Sequence, residues 1–194
     1  MTALELAKQL RAKFGELLSE PAEFRGEVTM DVADAERIVE VCAFAKKELG
    51  FDFLVDISSV DNYGDDPRWL IVYELYGVAD RCYLRLRTRV GEEKSELPTI
   101  TGVWRTAEWH ERENYDMMGI RFRNHPDLRR IIMWEGYPYH PLRKDFPVTG
   151  KPTEVPDVAF TKAAPIEGGP FVTVPGGKDA IEREPRVRTP EDRE

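Results

Sequence analysis

Between residues 81 and 90 the apolar residues recur every second position, and this period constrains the fold more than any other feature of the chain. In Arg81–Val90, Cys82, Leu84, Leu86 and Val90 fall on one face, while Tyr83, Arg85, Arg87 and Arg89 fall on the other. Side chains of a strand point alternately to opposite faces, so this segment reads as a strand with one side buried. Trp69–Tyr76 (WLIVYELY) reads as a largely buried strand before it, joined by a hairpin at Gly77–Asp80. Phe51–Val60 (FDFLVDISSV), rich in aromatic and β-branched residues, is a third strand, set off by the turn cluster Asn62–Pro67. Three such strands need an apolar cover on one side.

The cover is expected upstream. Leu4, Ala7, Leu10, Phe14, Leu17 and Leu18 recur at helical spacing over residues 3–19, and Pro21 ends that stretch. Phe24–Met30 reads as a short strand, and Asp31 or Asp34 as the N-cap of a helix over Ala35–Leu49 whose stripe is Ile38, Val41, Cys42 and Ala45. Gly50 stands where a C-cap glycine belongs. Glu92–Pro98 reads as a polar loop, and Thr106–Met118 as a helical region closed by Gly119. The order predicts an α+β fold, an antiparallel or mixed sheet with helices on one face. Residues 1–118 are the expected globular domain. Residues 119–150, dense in aromatic, proline and charged residues, are expected to be docking loops. Residues 151–194 hold seven of the fourteen prolines and few apolar residues, and are expected to be an extended tail.

Charge and cysteine content narrow the chemistry. The formal net charge of −8 opposes a general attraction to nucleic acid. Cys42 and Cys82 are too few for an iron–sulfur cluster, which takes four thiolates as a rule. They read as reduced, buried thiols in a cytosolic compartment. No run approaches the roughly 20 apolar residues of a membrane span, and the N-terminus lacks the apolar core of a secretory signal. The helix at His110-Glu111-Arg112-Glu113-Asn114 would be a zinc-peptidase motif with histidine last, but an amide is a poor zinc ligand. His110, His125 and His140 are too scattered for a local metal motif. No phosphate loop or nucleophile elbow occurs, so the chain is expected to have no catalytic, cofactor or metal site of its own. The arginine face of the last strand admits an RNA-binding alternative, which the acidic charge and the single aromatic on that face, Tyr83, disfavour.

The run ERENYDMMGIRFRNHPDLRRIIMWEGYPYHPLRKDFP, beginning at Glu111, interleaves acidic and basic residues with aromatics and prolines. Glu111, Arg112, Glu113 and Asp116 crowd one short helix, where Arg112 and Asp116 stand at i and i+4. Two similar segments follow. One contains His125, Pro126, Asp127, Leu128, Arg129 and Arg130, and the other runs from His140 through Arg143, Lys144 and Asp145 to Pro147. Each places basic and acidic residues on a proline-set loop. The two loops either pair with each other or, the preferred reading, form an intersubunit seam with Trp134, Glu135, Tyr137 and Tyr139.

The run resembles the signature of the 30-kDa subunit family of respiratory complex I. Its pattern is met by Glu111-Arg112-Glu113, Asp116, Met117-Met118, His125, Arg129 and Ile131-Ile132, and then by Trp134-Glu135-Gly136 and His140 to Pro147. Phe51–Asp61 and Trp69–Leu75 are similar to the family's sheet strands, so that the likeness spans about residues 30–150. Tyr137-Pro138-Tyr139 is a departure, since many members run from Glu-Gly straight into His-Pro-Leu. The resemblance implies a peripheral-arm subunit of NADH:quinone oxidoreductase on the cytoplasmic or matrix side of a membrane. That complex carries electrons through FMN and iron–sulfur clusters in partner subunits to quinone and couples this to ion pumping. The chain is expected to be the unfused form, without cofactor, beside the 49-kDa-type and cluster-bearing subunits. Its membrane association would be indirect, and its tail would wrap a neighbour. The equivalent subunit of a membrane-bound hydrogenase, or of another donor dehydrogenase, is the alternative within this class.

Overall fold

The computed structural model describes residues 1–147. Helix α1 (Ala3–Phe14) opens on a capping box, in which Thr2 Oγ1 accepts the Glu5 N–H and the Glu5 carboxylate accepts the Thr2 N–H. It buries Leu6, Ala7 and Leu10, and a 3-10 turn over Gly15–Leu17 follows. The single strand expected at 24–30 is two, β1 (Ala22–Phe24) and β2 (Glu27–Val32). Arg25 (φ 53°) and Gly26 (φ 83°) fold them into a hairpin, the positive pair that matches strand twist. Of the two aspartates proposed as caps, Asp34 accepts the Glu36 N–H, while Asp31 lies within β2. A 3-10 turn then leads into α2 (Ile38–Leu49), which ends at Gly50 in the left-handed region.

Strands β3 (Phe53–Asp61), β4 (Trp69–Gly77) and β5 (Cys82–Val90) form the antiparallel meander that the alternation predicts. The sheet order is β1-β2-β5-β4-β3, and β2 runs parallel to β5, which makes the sheet mixed. One face is buried. Val28, Met30, Leu84, Leu86, Trp69, Ile71, Tyr73, Leu75, Leu54 and Ile57 meet Leu6, Leu10, Ile38, Val41 and Cys42 from the helices in one core. At about 25 cal/mol per Å² of apolar area, packing of this kind is the main term holding the layers together.

The other face carries Arg85 and Arg87, as the alternation predicts. Arg85 pairs with Glu74 and Glu27, and Arg87 makes two hydrogen bonds to Asp31, at 2.8 and 2.9 Å. These pairs balance the basic field that a nucleic-acid-binding sheet would need.

Two short strands escape the sequence pattern. β6 (Glu96–Pro98) lies inside the expected polar loop, and β7 (Arg121–Arg123) follows the last helix, α3 (Ala107–Met118); the two pair in parallel. Three residues are too few to show a period, yet Leu97, Ile120 and Phe122 enter the main core. The packed core therefore continues past residue 118.

Candidate functional site

Helix α3 turns Glu111, Arg112 and Asp116 inward. Asp116 is fully buried, and its Oδ2 accepts the backbone N–H groups of Ile131, Ile132 and Met133 at 3.0, 2.7 and 2.8 Å. Its Oδ1 takes the Arg130 guanidinium, which also donates to the carbonyl of Tyr139. Arg112 does not form the i,i+4 pair with Asp116 that its spacing allows. It donates instead to the carbonyls of Arg129 and Arg130, both at 3.1 Å. One carboxylate and one arginine thus fix the whole 129–133 segment through its backbone. Buried polar groups need such partners, and backbone groups without a strand neighbour find them in side chains.

The two His-Pro loops meet on this helix. His125 packs beneath α3, with Nε2 at 3.1 Å from the Glu108 carbonyl, while Asp127 and Arg129 pair at the surface. His140 Nδ1 lies 2.9 Å from the Asp116 carbonyl, and the Arg143 Nε donates to the Met118 carbonyl at 2.6 Å. Burial depresses the basicity of both His140 and Arg143. The seat exists because residue 119 is glycine. Its φ is +76°, and a Cβ there would come within 2.7 Å of the His140 ring and closer still to Arg143. Gly119→Ala should cost about 1–2 kcal/mol in the left-handed backbone, with displacement of the 140–146 loop adding to it. Thermal unfolding of the two proteins measures the cost, and an unchanged midpoint would refute this account of the glycine.

The second loop is also anchored at the far end of the sheet, by a pair that no sequence motif marks. Arg68 is 1% exposed and lies between the rings of Tyr63 and Trp69, at 4.9 and 4.4 Å from their centroids. Its Nε and Nη2 each reach Asp61 at 2.8 Å, Nη1 reaches Glu92 at 2.6 Å, and Asp145 stands at 3.5 Å. Asp61 Oδ2 also accepts the Lys144 N–H at 2.8 Å. Hydrogen bonds from the Arg68 guanidinium hold the Asp61 carboxyl below its usual range. The only sequence signal is a lone arginine between a turn and an apolar strand, and this is a common arrangement.

Tyr137 is buried and packs with Met117 and Met133; its ring lies 4.6 Å from Trp134 and 5.6 Å from Tyr139. The extra Tyr137-Pro138-Tyr139 therefore builds a small second core under the loops. The remaining members of the cluster face outward: Glu113, Asp127, Arg129, Glu135, Lys144 and Asp145 are exposed. Beside them stand Trp109 at 58%, Ile132 at 56% and Leu142 at 58% exposure.

A model of the family described as "Respiratory-chain NADH dehydrogenase, 30 Kd subunit" matches residues 32–152. The chain belongs to that family. It is 47% identical over 146 residues to the C-type subunit of the NADH-quinone oxidoreductase of Geotalea uraniireducens (strain Rf4), an alignment that covers 75% of this chain and 88% of that one. It is 56% identical over 117 residues to the second C-type subunit of the NADH-quinone oxidoreductase of Rhizobium meliloti (strain 1021), covering 59% and 64%. Among solved structures, it resembles a trypsin-resistant fragment (1–134) of Nqo5 with a TM-score of 0.56 and 35% identity, covering 66% of this chain and all of that one. A chain of an archaeal membrane-bound sulfane sulfur reductase shares the fold, with a TM-score of 0.65 and 23% identity over 74% of this chain and 84% of that one.

The family signature accordingly sits on the α3 hub and the loops it holds. The near-zinc motif has a structural use, since Asn114 Nδ2 donates to the Ile57 carbonyl on the outer edge of β3 and to the His110 carbonyl. Among the described residues, no three His, Cys, Asp or Glu side chains gather as a metal site, and no helix is long and apolar enough to cross a membrane. The tail at 151–194 lies outside the described residues.

Proposed function

We propose that this chain is a structural subunit, without cofactor of its own, of the peripheral arm of a proton-pumping NADH:quinone oxidoreductase. Its neighbours would carry FMN and iron–sulfur clusters and pass electrons from NADH to quinone. The family match over residues 32–152 carries this reading. The site agrees with a scaffold role, because its buried charges serve to hold loops. Asp116 binds three N–H groups, Arg112 two carbonyls, and Arg68 a carboxylate. Reactive sites instead leave polar groups aimed at a cleft.

The docking surface toward the 49-kDa-type and cluster-bearing subunits would be the outer side of the same hub. There Trp109, Ile131, Ile132 and Leu142 are exposed among Glu113, Arg129, Glu135 and Lys144. Large exposed apolar side chains rimmed by charge are the usual composition of an interface. Membrane association at the cytoplasmic face of an inner membrane would be indirect, through the complex. Residues 151–194 would wrap a neighbour, with the ordering cost of about 1 kcal/mol or more per residue met on docking.

Affinity purification of the tagged protein from a mild-detergent membrane extract tests this. The expected result is an iron-rich assembly that oxidises NADH with quinone, and an iron-free monomer would overturn the proposal. Truncation after residue 150 should leave the domain folded by circular dichroism and lower the yield of intact assembly several-fold. An unchanged yield would remove the tail from the docking surface.

A further inference from the structure

Glu111, on the inner face of α3, is enclosed by groups that bring no fixed positive charge. Its carboxyl is fully buried and accepts the Thr99 hydroxyl and, at 2.8 Å, the Ile100 N–H from the turn after β6. Helix α2 supplies the buried Cys42 thiol, and β4 supplies Tyr73, whose buried hydroxyl finds no hydrogen-bond partner among the described residues. Burial pushes both of these groups upward, so each stays protonated. The segment after β7 brings His125, with Nε2 at 3.9 Å from the carboxyl. Its Nδ1 lies 3.0 Å from the Asp127 N–H and its Nε2 3.1 Å from the Glu108 carbonyl. Arg112, the next residue of the helix, is occupied by the carbonyls of residues 129 and 130.

We propose that Glu111 is a buried proton-binding site that ties the charged helix to the Thr99–Thr101 turn and makes the stability of this corner depend on pH. A sealed carboxylate with two neutral donors and no cation lacks the compensation that buried charge requires. Burial accordingly pushes this carboxyl up to about 7, with the Thr99 and Ile100 hydrogen bonds opposing the rise. The folded chain therefore holds the proton to higher pH than the unfolded chain does. The contribution to stability is complete below the ordinary carboxylate range and is lost progressively as pH rises from about 4.5 to about 7. Above that range the loss is constant.

The geometry also admits an uncharged replacement. In Glu111→Gln the amide oxygen still accepts the Ile100 N–H, and the amide nitrogen donates to Thr99 Oγ1. The Thr99 hydroxyl is then free to turn to Thr101 Oγ1, at 3.0 Å. Carbon-13 NMR of the full chain, labelled at glutamate side-chain carboxyls, tests the proposal between pH 4 and pH 9. One resonance should titrate with a midpoint near 7 and vanish in Glu111→Gln. Thr99→Val, which removes one donor to the carboxylate, should move that midpoint upward and makes the assignment even where the glutamine variant fails to fold. In urea unfolding, the wild-type midpoint should fall relative to Glu111→Gln between pH 5 and pH 7.5. The proposal is overturned if every glutamate titrates below pH 6. It is equally overturned if the high midpoint survives Glu111→Gln or ignores Thr99→Val.

Discussion

Asp116→Ala is expected to lower the stability of the full chain by about 3–5 kcal/mol, the range for removing one member of a buried, hydrogen-bonded charge pair. The size follows from what the carboxylate holds. It accepts three successive N–H groups, from Ile131 to Met133, and pairs with the Arg130 side chain. Without it, three donors lose their partner in a half-buried place, and Arg130 keeps only the carbonyls of Asp116 and Tyr139 as acceptors. Asp116→Asn should lose less, since an amide oxygen can still accept some of these bonds. Urea unfolding gives the magnitude, and trypsin shows the location. Cleavage after Arg129 and Arg130, protected in the wild type by their backbone bonds to Arg112, should become fast under native conditions. A variant with wild-type stability and wild-type cleavage would mean that the loop is held by its apolar residues alone.

The sequence disclosed the sheet and hid the hub, and the reasons differ by residue. Leu84 and Leu86 alternate with Arg85 and Arg87 over nine residues, which is long enough for a period of two to declare one buried face. Gly50 and Gly119 stop their helices because they adopt positive φ, a local demand visible in the sequence. Asp116 gave no such sign. Its partners lie 14 to 17 positions later on a loop without periodicity, and spacing pointed instead to Arg112 one turn before it. The same blindness covers Asp61 and Arg68, whose importance comes from two rings and two further carboxylates brought in by the fold. Resemblance to a family marked the right segment where periodicity could not. It marked residues, however, without saying which are buried. Glu111, Arg112 and Asp116 face inward, while Glu113 between them faces out. Of these four, Glu113 alone is available to a partner.

That division makes the other end of the loop a separate test. Asp61→Ala leaves Arg68 almost without solvent, between Tyr63 and Trp69, with Glu92 at 2.6 Å and Asp145 at 3.5 Å as its remaining charges. Both hydrogen bonds to Asp61 are lost, and the Lys144 N–H loses its acceptor. The expected cost is about 3 kcal/mol. Trypsin should now cut after Arg143 and Lys144 while sparing Arg129 and Arg130, the reverse of the Asp116 variant. Replacing the pair together, as Asp61→Leu with Arg68→Met, should recover a large part of the loss, because apolar residues carry no desolvation cost. The pH dependence has a definite sign. Arg68 holds the Asp61 carboxyl below its usual range, so its contribution is present above about pH 4 and disappears as pH falls through the depressed value. The gap between wild type and Asp61→Ala should therefore close in acid, opposite to the Glu111 effect, which grows as pH rises toward neutrality. A gap that stays constant from pH 7 down to pH 2 would show that Asp61 acts by packing, and the loop would then owe its position to Gly119 and the aromatic cluster.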